Sequence, residues 1–210
     1  LKALTTAVPR NRSASFSSSS RGSCFRQQVF SYLGVPQRGE IDPALHAIFI
    51  DGTWRHIRWQ MLLLMAGILT DIEVPFHRPE IRLRGSLDGA NTPEKWGFEL
   101  KGTSDSEIVF GYKGAIEQHI LQVHTYFLGR PELERFVLLY EDKKYQTWKE
   151  TVITPDPKAM RAVRDEMEYL NWSVDERKLP PVLEECKNGK GLVFTKCPYR
   201  DICRGCDYDE

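Results

Sequence analysis

The chain has 210 residues, of which 41% are hydrophobic and 28% are charged, a balance typical of a globular protein rather than a disordered or fibrous one. A chain of this length forms one domain or at most two. Its longest strongly apolar run, residues 61–69, is too short to cross a bilayer, so the sequence predicts no association with a membrane. The formal net charge of +0 gives the whole chain no general attraction for nucleic acid.

Positive charge is concentrated at the beginning of the chain, where Lys and Arg contribute +6 before the first acidic residue, Glu40. Residues 1–20 are also rich in serine, which predicts a flexible basic arm, although transit peptides share this composition. We expect a single folded domain over residues 21–206 and an acidic tail over residues 207–210.

Hydrophobic spacing and turn residues predict a helix first and then strands that alternate with helices. The predicted helices cover residues 23–33, 50–69, 113–128 and 154–172, and the predicted strands cover residues 71–76, 80–90, 96–101, 135–140 and 145–151. Asp51 or Thr53 can cap the second helix. Thr154 or Asp156 can cap the last helix, with a proline in its first turn. This order of elements predicts a mixed α/β domain.

Charged residues lie between residues 84 and 101, where two of the predicted strands would form a hairpin. Successive side chains of a strand point to opposite faces, so Glu99 and Lys101 share a face and Leu100 points away. In a hairpin, Asp88 approaches the same point. Two carboxylates beside an ammonium group can bind a hard divalent cation and handle a water molecule. The alternative is a polar hairpin whose charges are solvated.

The chain has five cysteines, and three of them, Cys197, Cys203 and Cys206, lie close together near its end. Cys186 lies a short distance upstream, and Cys24 lies in the first predicted helix. No apolar secretory core precedes Arg21, and a protein that is not exported has little need of a disulfide framework. The crowded cysteines therefore indicate metal or cluster ligation.

Several short motifs follow one another in a fixed order along the chain. They are Cys24, Gly52-Thr53-x-x-His56, Gly85-x-x-Asp88, Glu99-x-Lys101, Gln122-x-x-x-Tyr126 and Cys197-Pro-Tyr-Arg-Asp-Ile-Cys203. The combination resembles the RecB-like branch of the PD-(D/E)xK nucleases, and most closely the Cas4-like exonucleases with an iron–sulfur cluster. The resemblance implies a restriction-endonuclease-like core, in which helices flank a mixed central sheet and the cluster joins the N- and C-terminal segments.

The resemblance also implies a centre for Mg²⁺ or Mn²⁺, whose ligands are His56, Asp88, Glu99 and the carbonyl oxygen of Leu100. A nitrogen ligand suits Mn²⁺ better than Mg²⁺. Lys101 would orient or deprotonate the attacking water, and Gln122 and Tyr126 would line the site. The helix face that carries Gln122 and Tyr126 would also pack on the sheet.

For the cluster, the resemblance implies a [4Fe–4S] centre held by Cys24 and by C-terminal cysteines in residues 180–206. The family pattern is Cys-x2-Cys-x5-Cys, and Phe194 stands where this chain would need the first of those cysteines. Cys206 or Cys186 must then supply the missing ligand beside Cys197 and Cys203, and Cys206 is the choice that we favour. Four thiolates could hold Zn²⁺ instead.

DNA contacts are expected around the first helix, from Arg21 and Arg26 for the backbone and from Tyr32 for base stacking. Trp54 and Trp59 are further aromatic candidates, although Trp59 is more typical of a core residue. In the alternative interpretation the arginines are solvated and the aromatic residues are core.

We therefore expect a metal-dependent deoxyribonuclease, an exonuclease on single-stranded DNA whose 5'→3' direction is implied by the resemblance alone. It would act in the cytoplasm, or in a host cytoplasm if phage-encoded. Its setting would be CRISPR adaptation, with CRISPR integration proteins, or phage or host recombination and repair. The sequence contains no helicase P-loop, so unwinding would require a partner helicase. The alternatives are a non-catalytic DNA-binding module and an endonuclease that cuts duplex DNA.

Overall fold

A computed structural model of the chain describes residues 14–37, 43–111, 113–187, 189 and 192–203. The strands in this part are β1 (Phe16–Ser17), β2 (Asp71–Arg78), β3 (Leu83–Asn91), β4 (Trp96–Thr103), β5 (Arg135–Asp142) and β6 (Trp148–Ile153). The α-helices are α1 (Phe25–Tyr32), α2 (Pro43–Met65), α3 (Ser106–Val109), α4 (Glu117–Gly129), α5 (Pro157–Asp175), α6 (Glu184–Lys187) and α7 (Leu192–Lys196). Short 3₁₀ turns occupy Ser18–Ser20 and Pro79–Ile81.

The strands form one mixed sheet in which β3 is paired on both edges. On one edge it pairs with β2 in antiparallel register, and on the other it pairs with β1 at its start and β4 at its end. β4 then pairs with β5 in parallel over its whole length, and β5 pairs with β6 in antiparallel register. A parallel pair needs a crossover connection, and α3 and α4 lie in the connection between β4 and β5. The predicted mixed sheet with flanking helices is confirmed.

Two apolar layers hold the helices against the two faces of the sheet. The larger layer lies on the side of α4 and α5 and contains buried Val123, Phe127, Phe136, Leu138 and Leu170. The second layer lies under α2 and contains buried Leu69, Trp96, Phe98, Leu100 and Leu139. Alternation along β4 places Leu100 in the second layer, so Glu99 and Lys101 point to the other face, as predicted.

The predicted helix boundaries agree best with the structure where a residue close in sequence caps the helix. Asp156 caps α5 by accepting a hydrogen bond from the Ala159 N–H at 2.8 Å, with a proline in the first turn. The predicted start of α2 was wrong, because the helix begins at Pro43 rather than near residue 50. Asp51 and Thr53 lie inside it, and the Thr53 hydroxyl donates to the Phe49 carbonyl at 3.0 Å instead of capping a helix.

The folded domain begins before the position that the sequence predicted. Phe16 and Ser17 form β1 beside the start of β3, and Phe16 is only 2% exposed. Residues 14–20 therefore belong to the domain rather than to a flexible arm, while residues 1–13 and the tail at 207–210 lie outside the described residues. In the part of the chain that the structure covers, no helix is both long and apolar enough to cross a membrane.

Candidate active site

The candidate site lies where β3 and β4 separate. Their backbone pairing ends at Gly89 and Phe98, so Asp88 and Glu99 face each other beyond the last paired residues. The Leu100 N–H there donates to Asp88 Oδ2 at 2.7 Å rather than to a backbone carbonyl. The fork between the strands thus brings the two carboxylates together at the position that the hairpin prediction required.

Glu99 is the centre of a buried hydrogen-bond network and is only 3% exposed. Its Oε1 lies 2.7 Å from Lys101 Nζ and accepts from Gln122 Nε2 at 2.8 Å. Its Oε2 accepts from the Tyr126 hydroxyl at 2.9 Å. The structure therefore brings together Glu99, Lys101, Gln122 and Tyr126, all of which the sequence proposed for one site.

Gln122 links the lysine to the carboxylate from the side of α4. Its Nε2 donates to Glu99, and its Oε1 accepts from Lys101 Nζ at 2.8 Å, so the two contacts assign the amide a single orientation. Tyr126 lies one helical turn later on the same face and also contacts Glu99. This helix face both packs on the sheet and lines the site.

Burial makes the ionised form of Glu99 costly. Burial, which is the larger cause, and repulsion from Asp88 raise the pKa of Glu99 to about 7, and the neighbouring Lys101 offsets only part of this increase. The pKa of Tyr126 also lies well above its ordinary value because of burial and of Glu99, so its hydroxyl remains a donor. Two carboxylates therefore lie side by side in a largely buried site, where a bound cation would favour the ionised form of Glu99.

α2 brings His56 to the outer side of Asp88. The His56 Nδ1 lies 3.1 Å from Asp88 Oδ1, and this contact is the main cause of its raised pKa. Gln60, one turn later on α2, donates to the Asp88 carbonyl at 2.9 Å and to Glu73 Oε1 at 2.6 Å. Gln60 therefore ties α2 to β2 and β3, a role for which the sequence analysis proposed no residue.

A buried carboxylate of β5 holds α2 at a second point. Glu141 is 0% exposed, and it accepts from Trp59 Nε1 at 2.9 Å. It also pairs with Arg55 at 3.2 Å and with Arg58. These bonds lower the pKa of Glu141 against the effect of its burial, so it stays ionised. Trp59 is therefore a packed residue that helps to hold α2, as its core interpretation predicted.

The predicted metal ligands are hard oxygens and one imidazole, a donor set that suits Mg²⁺ or Mn²⁺. In the described ranges no three His, Cys, Asp or Glu side chains are grouped as a ready metal-binding set. Instead, His56 and the Leu100 N–H contact Asp88, while Lys101 contacts Glu99. The residues fit a divalent cation in chemistry, since two carboxylates lie side by side with an imidazole next to them, and binding would require the carboxylates to exchange these contacts for the metal.

Cysteines from both ends of the described chain line one small cavity. Cys24 lies at the start of α1, and the others, Cys186, Cys197 and Cys203, lie after α5 around a volume of about 20 Å³. Phe194, which stands at the position where the family pattern has a cysteine, also lines this cavity. Burial raises the pKa of Cys197 and of Cys203. Cys206, which the sequence analysis favoured as a ligand, lies outside the described residues.

The structure does not place the predicted DNA-contacting arginines on the surface. Arg21 is 0% exposed and forms an ion pair with Glu166 at 3.2 Å. Arg26 is 4% exposed and donates to the Pro180 carbonyl at 2.9 Å. Tyr32 stacks on Phe16 with ring centroids 4.8 Å apart. These positions contradict the predicted DNA contacts of Arg21 and Arg26, whose side chains are buried against neighbouring segments of the protein. The contact predicted for Tyr32, whose side chain is half-buried, stays a prediction.

Sequence reasoning missed two residues beside Lys101. Tyr140 on β5 is in register with Lys101 on β4, and its hydroxyl lies 2.7 Å from His119 Nδ1. The signal for His119 was its position one helical turn before Gln122, which places both on one face of α4. No sequence signal indicated Tyr140, because the register between β4 and β5 depends on tertiary pairing.

No family model matches the sequence, and the comparison with curated proteins finds no significant match. Solved structures do match the fold. The crystal structure of SSO0001 superposes with a TM-score of 0.59 at 16% identity, covering 96% of this chain and 90% of that chain.

The alkaline exonuclease LHK-Exo from Laribacter hongkongensis superposes with a TM-score of 0.56 at 15% identity, covering 79% of this chain and 90% of that chain. Its structure in complex with dAMP gives a TM-score of 0.55 at 14% identity, with 78% and 89% of the two chains covered. At these identities the likeness establishes the fold alone. The chain thus has the fold of an alkaline exonuclease.

Proposed function

We propose that the protein is a metal-dependent DNA exonuclease of the PD-(D/E)xK class. The observation that carries the proposal is the fork at which Asp88 faces a buried Glu99 that is shared by Lys101, Gln122 and Tyr126. A sheet built only for stability has little need of two adjacent carboxylates, one of which is buried with a raised pKa. The shared fold with an alkaline exonuclease, one structure of which contains dAMP, supports the same conclusion.

Asp88, Glu99, the Leu100 carbonyl and His56 would hold Mg²⁺ or Mn²⁺, which would activate a water molecule and stabilise charge on the phosphate. Lys101 Nζ uses two contacts on Glu99 and Gln122. An ammonium group has three donors, so the third can orient the attacking water. The Tyr126 hydroxyl keeps its proton and holds Glu99 in place from the opposite side.

Single-stranded DNA is the proposed substrate. This preference is carried over from the Cas4-like resemblance. The 5'→3' direction, a role in CRISPR adaptation or in recombination and repair, and partners such as CRISPR integration proteins or a helicase follow from the Cas4-like resemblance. A cytoplasmic location is part of the same proposal.

End-labelled DNA tests this function. With Mn²⁺ we expect the protein to shorten single strands from an end and release small products, and we expect EDTA to stop the reaction because the carboxylates need a cation. Duplex DNA of the same sequence and label is the control. Internal cuts in the duplex would instead identify an endonuclease, and binding without cleavage in Mn²⁺ would identify a non-catalytic DNA-binding module.

We also propose that a [4Fe–4S] cluster is held by Cys24, Cys186, Cys197 and Cys203. These thiols line one cavity, and thiolates are the ligands that such clusters require. Cys186 replaces Cys206 as the proposed fourth ligand because it lines the same cavity as the other three. In the described residues these thiols do not form a ready metal-binding group, so cluster binding would have to draw them together. A cluster there would join α1 to the segment that follows α5, with Zn²⁺ as the other centre that four thiolates can hold.

Absorbance of anaerobically purified protein checks the ligand set. We expect a band near ~400 nm and bound iron in the wild type and in Cys206→Ser, and loss of both in Cys186→Ser. Loss in Cys206→Ser with retention in Cys186→Ser would reverse the assignment. Colourless protein with stoichiometric zinc would replace the cluster by a zinc centre.

A further inference from the structure

His119 of α4 is held by Tyr140 of β5 and lies close enough to Lys101 to feel its charge. Tyr140 and Lys101 are paired residues of parallel β5 and β4, so their side chains lie on the same face of the sheet. The Tyr140 hydroxyl lies 2.7 Å from His119 Nδ1, and the two rings are 5.6 Å apart. His119 is half-buried, and Gln122, one turn later on the same helix face, contacts Lys101 directly.

The hydrogen bonds define which ring nitrogen of His119 carries the proton. The Tyr140 hydroxyl accepts from the Ile116 N–H at 3.0 Å and is 1% exposed, so its own proton is directed to His119 Nδ1. His119 Nε2 then carries the N–H. Among the described residues, no protein group accepts from that Nε2–H.

His119 also stays neutral over the working range of pH. Burial, and then the charge of Lys101, lower its pKa to about 4. A neutral N–H beside Lys101 adds a hydrogen-bond donor without adding a second positive charge. Hydrogen bonds to an ionised acceptor such as a phosphate are stronger than those between neutral groups.

We propose that His119 contacts the substrate, donating its Nε2–H to a non-bridging oxygen of the DNA phosphate that lies beside Lys101. Tyr140 is a positioning residue that holds the imidazole in the required tautomer. This inference rests on the proposed nuclease function, since it assigns a phosphate contact within the same site.

Substitutions at position 119 separate the effect of losing the hydrogen-bond donor from the effect of disturbing the packing of the side chain. We expect His119→Leu to lower kcat/KM for single-stranded DNA in Mn²⁺ by about 10- to 100-fold, the range for one hydrogen bond to a charged group. His119→Gln, which keeps a neutral amide donor, should restore most of that loss. Tyr140→Phe should give a smaller loss, because the imidazole stays in place but its Nδ1 no longer has the hydroxyl that fixes its tautomer. His77→Ala, at an exposed position of β2, is the control and should change nothing.

The pH profile distinguishes this role from a structural or a charged one. Because His119 is neutral, His119→Leu should lower activity by the same factor from pH 6 to pH 8.5. His119→Leu and His119→Gln should have the same thermal stability, so that a difference in activity between them does not come from folding. A loss that varies with pH would show that His119 acts through its charge and would overturn the proposal. So would full activity in His119→Leu while the wild type cleaves DNA. A wild type that cleaves no DNA would remove the nuclease function and this contact together.

Discussion

Replacing Lys101 with alanine should lower the rate of DNA cleavage by about 10²- to 10⁴-fold, the range for loss of a group that handles the proton of the attacking nucleophile. The Lys101 side chain is only 22% exposed, and its ammonium group is held between the Glu99 and Gln122 oxygens. Its position is therefore fixed before DNA binds. Single-turnover cleavage of labelled single-stranded DNA in Mn²⁺ measures the loss, and the affinity for DNA should change little.

Lys95 provides a matched control for Lys101. It lies in the turn between β3 and β4, its side chain is 57% exposed, and its ammonium group pairs with Glu134 at the surface. Lys95→Ala should retain full activity. If Lys101→Ala cleaved DNA as fast as Lys95→Ala did, the assigned mechanism would be wrong.

Replacing Glu99 with glutamine should abolish cleavage and also change how stability depends on pH. The folded protein raises the pKa of Glu99 from an ordinary 4.5 to about 7, so the folded state holds this proton more tightly than the unfolded chain. The contribution of Glu99 to the free energy of unfolding therefore falls as pH rises from 4.5 to about 7. The full effect is on the order of 3 kcal/mol. Glu99→Gln removes it, because the amide does not ionise.

His56 contributes to the same trend in a later pH range. Its pKa is raised mainly by the bond to Asp88, so the stability that it supplies is present below its ordinary pKa of 6.5 and is lost as pH rises through the higher folded value. His119 acts in the opposite direction, because its folded pKa of about 4 makes its contribution to stability rise with pH up to its ordinary pKa of 6.5. Glu99 is therefore read from the difference between two curves: as pH rises from 4.5 to 6, the metal-free wild type should lose stability relative to Glu99→Gln, which keeps the His119 effect.

Chemical denaturation in EDTA from pH 4.5 to pH 8, repeated with Mn²⁺, measures both effects. Mn²⁺ should stabilise the wild type most at pH 8, where the carboxylates are ionised, and should stabilise Glu99→Gln little. Glu117→Gln, at an exposed position of α4, should follow the wild-type curves and serves as the control. Parallel curves for the wild type and Glu99→Gln would contradict both the buried ionisation and the metal site.

The geometry of the candidate site residues was predictable because it follows from local rules. The period of two along a strand placed Glu99 and Lys101 on one face, and Leu100 is indeed 1% exposed on the other. The spacing of four placed Gln122 and Tyr126 on one face of a helix. The cap at Asp156 could be predicted for the same reason, since its partner lies three residues away.

The predictions from sequence were wrong where contacts between residues far apart in the chain outweigh the local composition. Arg21 lies in a serine-rich basic segment that resembles a surface arm, yet Glu166, far along the chain, compensates its charge in the interior. β1 was missed because two residues form a strand only when β3 is beside them. The role of Tyr140 depends on a register between strands that no periodicity in the sequence encodes.

The fork between β3 and β4 gives Asp88 two separate tasks with its two carboxylate oxygens. Oδ2 accepts the Leu100 N–H where a backbone carbonyl would otherwise do so, and Oδ1 faces His56. Alanine at this position would therefore leave a backbone amide of β4 without its acceptor in addition to removing a charge, whereas asparagine would remove the charge and keep an acceptor. Asp88→Asn and Asp88→Ala therefore separate the two tasks, because only the second variant also removes the acceptor that ends the pairing of β4.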